Sequence, residues 1–159
     1  MSTQSNEKVL DIGEPSPEVL NSPEFVGFLA TLDAATSIIG ATDQILRDAD
    51  LGISTREFDA LIFVIAFGPI RPSDLLRKVV LTHSVQTLAS TIDRLEQAGL
   101  VHRSPHPTNK AAVLVEATAE GRSVVQEVFP FVYRTVIQPF SSRYSDADIA
   151  ALGDLLTRK

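Results

Sequence analysis

The sequence contains no cysteine, and this absence excludes several kinds of chemistry. Disulfide bonds, thiolate catalysis, cysteine zinc sites and thiol redox sensing all need that residue. A glycine-rich phosphate-binding loop is also missing, and no Ser/His/Asp order stands out from chance. The sequence therefore predicts a protein that is not an enzyme and that carries no cofactor.

Long apolar runs are missing as well. The longest purely apolar run covers residues 60–67, which is far shorter than a membrane span. Residues 1–8 are polar, so no secretory signal is predicted. The 159 residues, 44% of them hydrophobic and 21% charged, are typical of a globular protein with one compact core, or with a small core plus a dimerisation element. We expect it in the cytoplasm.

The charge of the chain is unevenly distributed. The net charge is −6, which by itself argues against a nucleic-acid partner. Residues 71–110, however, hold six basic and three acidic side chains, so that segment carries +3 and the other 119 residues carry −9. A basic segment matters more for DNA binding than the overall sum.

The N-terminal third predicts an arm followed by two helices. Residues 1–21 are polar and contain two prolines, which indicates a flexible arm. Ser22-Pro23 is a helix start, and apolar residues at three-and-four spacing predict a long helix to about Asp48. Ser54 and Glu57 form a capping box, which favours a helix over a strand for the apolar run to Phe67.

The middle of the chain predicts a helix-turn-helix followed by a β-ribbon. A short helix is expected over residues 72–79 and a second one after Thr82 as its N-cap, ending at Gly99. Residues 100–104 and 112–117 predict two strands around a turn. The core face of the second helix is predicted to hold Val85, Leu88, Ile92 and Leu95.

The opposite face of that second helix is the candidate for reading DNA. Its N-terminal half carries short polar groups without negative charge, and such groups read base edges in the major groove. They are His83, Ser84, Gln86, Thr87 and Ser90. Basic side chains nearby are candidates for phosphate contacts: Arg71, Arg77, Lys78, Arg94, Arg103 and Lys110. For Arg94 an ion pair with Asp93 or Glu96 is an equal alternative.

The C-terminal third predicts two more helices. Thr118 begins the first, Pro130 is expected to bend it, and Pro139 is expected to end it. Ser145 and Asp148 then cap a last helix with apolar residues on one face.

Three segments resemble the MarR family of multiple-antibiotic-resistance regulators. These are residues 68–75 (GPIRPSDL), 92–101 (IDRLEQAGLV) and 114–121 (LVEATAEG), and the resemblance extends over about residues 25–156. It implies a mainly α fold with a two-stranded β-wing, in which long dimerisation helices flank a winged helix-turn-helix. Residues 51–118 would be the DNA-binding region, and residues 22–50 and 119–159 the dimerisation region.

The resemblance also implies a function. A homodimer would bind double-stranded DNA at a pseudo-palindromic operator, act as a repressor, and release the DNA when a small aromatic or lipophilic ligand binds. Candidate ligand contacts are the aromatic residues near the presumed junction: Phe25, Phe28, Phe58, Phe63, Tyr133 and Phe140. Ordinary core or dimer packing is the alternative for each of them.

The wing departs from the family pattern. Members usually carry Asp-Arg-Arg at its tip, and this sequence has Asn109-Lys110-Ala111. Lys110 keeps one positive charge but lacks the planar fork of arginine, so a weaker wing contact is expected. This change and the acidic net charge leave a second hypothesis open, a winged-helix interaction protein that binds a protein partner or ligand with weak or no specific DNA binding. No metal site is predicted from the three histidines.

Overall fold

The computed structural model describes residues 16–109 and 111–157, with side chains up to residue 154. Within these residues the helices are α1 (Pro17–Leu20), α2 (Pro23–Asp48), α3 (Thr55–Phe67), α4 (Pro72–Leu75), α5 (Val85–Gln97), α6 (Ala119–Val132), α7 (Gln138–Ser141) and α8 (Asp146–Thr157). The strands are β1 (Val101–Pro105) and β2 (Val113–Ala117), and residues Tyr133–Ile137 form a π-helical segment. Described residues up to 37 belong to one compact unit and those from 38 onward to another.

The first unit contains α1 and the N-terminal part of α2. The predicted arm, residues 1–21, includes the helical turn α1, whose cap Ser16 accepts a hydrogen bond from the Val19 amide. Residues 1–15 of that arm lie outside the described residues. The predicted start of α2 is confirmed, because Ser22 Oγ accepts from the Phe25 amide at 3.2 Å.

Helix α3 begins as the capping box predicts. Ser54 Oγ accepts from the Glu57 amide, and Glu57 Oε2 accepts from the Ser54 amide at 2.7 Å. A helix rather than a strand is therefore confirmed for the apolar run that ends at Phe67. Thr55 also ties α3 to α2, because its hydroxyl donates to Asp43 Oδ1 at 3.0 Å and lowers the pKa of that carboxyl.

Helix α5 begins two residues later than predicted. Ser84, not Thr82, is the N-cap: its backbone is extended and its Oγ accepts from the Thr87 amide at 3.1 Å. Val85 thereby becomes the first helical residue and is 72% exposed, so its assignment to the core was wrong. Leu88, Ile92 and Leu95 are buried as predicted, and helix α4 is shorter than predicted.

The wing is an antiparallel pair that packs on the helices. Val101 pairs with Ala117 and Pro105 with Val113, within one residue of the predicted strands. Ile70 extends the sheet through two hydrogen bonds with Val115, at 3.0 and 2.8 Å. The ribbon is therefore anchored to the segment between α3 and α4, which a ribbon of this size needs for stability.

The chain remains helical from α6 to α7, contrary to the predicted end at Pro139. A π-helical segment follows Pro130 and continues directly into α7, where Pro139 occupies one of the first two helical positions. At the end of the π-helical segment the Gln138 amide donates to Tyr133 O, five residues back, so the hydrogen-bonding pattern changes immediately before Pro139. The predicted cap of α8 is confirmed, with Asp148 Oδ2 accepting from the Ser145 amide at 3.1 Å.

Two apolar clusters form the core of the second unit. The larger one joins α3, α4, α5 and the wing, and includes Leu61, Leu75, Ile92 and Val115. The smaller one joins α2, α3, α6 and the π-helical segment around Phe58. The two clusters hold the winged helix-turn-helix on the long helices, and the predicted fold class is confirmed.

Candidate nucleic-acid interface and an adjoining cavity

The exposed face of α5 carries four side chains in its first two turns. Val85, Gln86, Ala89 and Ser90 are all exposed, and they adjoin because residues three or four apart share a helical face. The side chains of Gln86 and Ser90 make no hydrogen bond to any described residue. Two predicted reading residues therefore have polar groups available to a ligand.

Ser84 and Thr87 differ from these two residues because they bind each other. The Ser84 hydroxyl donates to Thr87 Oγ1 at 2.7 Å while it accepts from the Thr87 amide. Both residues are half-buried, whereas the neighbouring His83 is exposed. Ser84 and Thr87 therefore stabilise the start of the helix, and fewer of their polar atoms remain for a base.

The acidic residues of α5 are neutralised by the wing. Arg103 on β1 forms ion pairs with Asp93, at 2.6 Å, and with Glu96. Burial acts to lower the pKa of Arg103, but the bonds to the two carboxylates outweigh it and the pKa is raised. Arg103, predicted as a phosphate contact, is thus placed where it joins β1 to α5.

The other predicted phosphate contacts also have partners within the chain. Arg94 lies 3.4 Å from Glu57 rather than beside Asp93 or Glu96, and Arg77 lies 3.4 Å from Asp74. Lys78 lies 3.9 Å above the ring of Phe67. Cation–π contact leaves the ammonium charge uncompensated by a carboxylate.

Arg71 connects the start of α4 to the wing. Its guanidinium lies 3.2 Å from His106 Nε2, and His106 Nδ1 faces Thr108. The Thr108 amide also lies 3.3 Å from His106 Nδ1, so the His106 ring contacts Arg71 on one side and the wing turn on the other. Farther along the wing, Asn109 Oδ1 accepts from the Ala111 amide, and Lys110 lies outside the described residues.

The turn before α5 is held by α3 through two residues that sequence reasoning missed. Asp59 Oδ2 accepts from the amides of Val80 and Leu81, both at 3.0 Å, and Arg56 Nε donates to Leu81 O at 3.2 Å. Burial raises the pKa of the Asp59 carboxyl despite these two amide bonds. The signal for both residues was weak, because their partners lie more than twenty positions away in sequence.

Thr82 follows this turn directly and has an unusual environment. It is 2% exposed, and its Oγ1 finds no hydrogen-bond partner among the described residues. A buried hydroxyl without a partner costs about 1–3 kcal/mol. The turn into α5 therefore contains a buried hydroxyl that has no hydrogen bond to the described residues.

A cavity of about 240 Å³ lies beneath this turn. Its walls come from the second half of α2, from α3, from Val80 and Leu81, and from α6 with the π-helical segment. The lining is apolar except for three residues, Thr42, Thr55 and Asp59. The cavity thus adjoins both the long helices and the segment that leads into α5.

The six aromatic ligand candidates do not all lie together. Phe58 lines the cavity, and so does Phe129, which sequence reasoning did not nominate. Phe63 stacks on Phe67 instead. The other four contact rings three or four positions away in sequence: Phe25 and Phe28 contact each other, Tyr133 contacts Phe129, and Phe140 contacts Tyr144.

The histidines do not gather into a metal site within residues 16–109 and 111–157. No group of three histidines or carboxylates with metal-binding spacing occurs there. His102 lies 3.7 Å from Glu116 on the neighbouring strand, which is a cross-strand pair.

Comparison with known proteins identifies the family of this chain. The profile of the MarR family matches residues 53–113. The transcriptional regulator PecS of Dickeya dadantii is 33% identical over 132 residues, covering 79% of this chain and 77% of PecS. A mutant of Escherichia coli MarR, solved in complex with operator DNA, is 25% identical with a TM-score of 0.62, covering 85% of this chain and 96% of that one. BpsR of Bordetella bronchiseptica, whose DNA binding is regulated by 6-hydroxynicotinic acid, shares the fold at 23% identity and a TM-score of 0.69, covering 91% and 95%. The chain therefore belongs to the MarR family of winged helix-turn-helix transcription regulators.

Proposed function

We propose that this chain is a cytoplasmic, non-enzymatic repressor that binds a pseudo-palindromic operator as a homodimer. One α5 helix would lie in the major groove of each half-site. The observation that carries this proposal is the exposed face of α5, where Val85, Gln86, Ala89 and Ser90 precede the first acidic residue, Asp93. The N-terminal residues of such a helix are the ones that reach base edges.

Three of the four side chains of this face would contact base edges. Gln86 can pair with the N6 and N7 atoms of adenine, and Ser90 can contact several bases. Val85 offers only methyl groups, whose counterpart in the groove is the C5-methyl of thymine. His83 lies before the cap and is exposed, and Ser84 and Thr87 hold the helix start in place.

Phosphate contacts would come from cations that have no carboxylate partner among the described residues. Arg71 at the start of α4, Lys78 after it and Arg56 on α3 meet this condition. Lys110 would add the wing contact. Arg77, Arg94 and Arg103 remain secondary candidates, since carboxylates already hold them.

Dimerisation would cover apolar surface that the chain leaves exposed. In the first unit Phe28 and Leu32 of α2 are 59% and 48% exposed, and in the second unit Phe131 is 54% exposed. By length and composition α2 could also cross a membrane. We favour a partner subunit, because Asp33 lies in the middle of this helix and a charge there is costly in lipid. Sedimentation of the chain and of Leu32→Glu tests this, since the variant should be monomeric at micromolar concentration.

An effector would bind in the cavity beneath the turn Val80–Leu81. The family resemblance suggests a small aromatic or lipophilic compound, and the apolar lining supports that class. Phe58 is the nominated residue that would contact it. The effector would act on DNA affinity because the same turn leads into α5.

Fluorescence anisotropy with the DNA upstream of the protein's own gene tests the DNA proposal. A specific regulator should prefer it to a scrambled duplex by roughly a thousandfold at physiological salt. Gln86→Ala should weaken specific binding by about 1–3 kcal/mol. Gln97→Ala, at the last residue of the same helix, is the matched control and should leave the affinity unchanged.

A second function is favoured by one observation. Carboxylates hold three of the arginines nominated for phosphate contacts, which reduces the charge available for DNA. Equal, weak binding to all duplexes, lost at physiological salt and not improved by genome-wide selection of DNA fragments, would support an interaction protein instead.

A further inference from the structure

The polar groups that line the cavity beneath the turn Val80–Leu81 differ in whether they are available to a ligand. Of its three polar lining residues, Thr42 donates its hydroxyl to Ile38 O at 2.9 Å, and Thr55 donates its hydroxyl to Asp43 at 3.0 Å. Both hydroxyl protons are therefore committed to protein acceptors. Of the lining residues that the structure describes, Asp59 alone is ionisable.

The carboxylate of Asp59 has an oxygen available to a ligand. Both amide bonds reach Oδ2, and Oδ1 accepts no hydrogen bond from the described residues. A carboxylate only accepts, so a ligand must donate to it. Among the described residues no cation lines the cavity to attract a negatively charged ligand.

The pKa of Asp59 also favours a positively charged ligand. Burial raises this pKa, which means that the protein does not fully compensate the carboxylate charge. A cation placed beside the carboxylate would compensate it. An anion placed there would add repulsion to the same carboxylate.

The cavity is partly open, so its volume limits only the part of a ligand that lies inside it. A cavity of about 150 Å³ accommodates benzene in a protein interior, so about 240 Å³ accommodates an aromatic ring with a short aliphatic chain. We propose that the cavity binds a small apolar amine, with its ring among the isoleucine, valine and phenylalanine side chains and its ammonium donating to Asp59 Oδ1. This rests on the proposed function of the cavity as the effector site, and it selects amines over aromatic acids.

The same carboxylate connects the ligand to DNA binding. An ammonium that shares Asp59 weakens its bonds to the amides of Val80 and Leu81, and the ligand body contacts both side chains. Thr82, whose buried hydroxyl has no described partner, adjoins the point of change. The amine therefore shifts the turn and the start of α5, and by linkage operator DNA lowers the affinity for the amine by the same factor.

Three probes with one carbon skeleton test the charge preference. Titration calorimetry of the full chain with 4-phenylbutylamine, 4-phenylbutan-1-ol and 4-phenylbutanoate should rank them in that order. The amine should bind about tenfold tighter than the alcohol, because hydrogen bonds to charged groups are the stronger class. The amine should also lower operator affinity in the anisotropy assay.

Two variants test whether Asp59 causes the preference for the amine. Asp59→Asn keeps an oxygen for the two amides and removes the charge, so the amine and the alcohol should bind it equally. Asp48→Asn, at an exposed carboxylate of α2 outside this cavity, is the matched control and should keep the amine preference. Amine binding that is unchanged in Asp59→Asn would overturn the inference.

The remaining outcomes separate this inference from the function on which it rests. If the carboxylate probe binds best and releases DNA, the cavity is an effector site but the selection of amines is wrong. If no probe binds while operator binding is intact, the amine effector is overturned and the DNA-binding regulator stands. If the chain binds no operator at all, the proposed function itself fails.

Discussion

The exposure of Val85 leads to a prediction about a single methyl group of DNA. Val85 is the first residue of α5 and is 72% exposed, so the chain gains little from it. In the major groove its methyl groups would meet the C5-methyl of a thymine. Val85→Ala should therefore weaken operator binding while barely changing the free energy of unfolding.

The magnitude follows from the apolar surface involved. Val→Ala removes two methyl groups, and full burial of each is worth about 0.8 kcal/mol. Contact with DNA buries only part of this surface, so we expect about 1 kcal/mol for each half-site, or about fivefold in affinity. With two half-sites the loss should approach about thirtyfold if the terms add.

A double-mutant cycle identifies the partner. Anisotropy is measured for the wild type and Val85→Ala on the operator, and on operators in which deoxyuridine replaces one thymine in each half-site. At one thymine position, Val85→Ala and the change to deoxyuridine should each weaken binding. The two changes together should weaken it no more than either one alone. Val80→Ala, at an equally branched side chain that is 62% exposed in the preceding turn, should show no coupling. Val85→Ala effects that are identical on every thymine and uracil operator would refute the reasoning.

Three further predictions concern other parts of the chain. Gly121→Ala should lower the free energy of unfolding by about 1–3 kcal/mol in urea, since an added Cβ would lie 2.1 Å from Leu100 O; an unchanged midpoint would contradict this close approach. Lys110→Ala should weaken binding to all duplexes alike and reduce the salt slope by about one, and a loss confined to the operator would exclude a simple phosphate contact. Because the pKa of Asp59 is raised in the fold above about 3.8, the wild type should lose stability relative to Asp59→Asn as the pH rises through that value towards the folded pKa; a stability difference that grows in favour of the wild type would show the opposite sign.

Local signals in the sequence were sufficient for most helix starts and for the wing. The capping box at Ser54 and the cap at Ser145 were predicted because the partner lies three residues away. The cap of α5 was misplaced because Thr82 and Ser84 are both capping residues, and only packing decides between them. Thr82 is buried, which leaves Ser84 for the cap and turns Val85 outward.

Long-range contacts explain why the candidate sites were predicted less well. Arg103 was nominated for DNA because it is basic and lies in the wing, but the register of β1 places it beside Asp93 and Glu96. Asp59 was missed because nothing near it in sequence distinguishes one carboxylate among twenty acidic residues. Asp59 binds the turn Val80–Leu81 only because the fold places that turn beside it.

One turn of helix α3 contacts α5 at two places, the turn before its first residue and the C-terminal half of the helix. Arg56 and Asp59 bind the preceding turn, while Glu57 both completes the α3 cap and pairs with Arg94. Helix α5 is thus preorganised, and if it enters the major groove as proposed, association with DNA carries little of the entropy cost of ordering it. The heat-capacity change of binding should accordingly match the surface that the two molecules bury, without the larger signature of coupled folding.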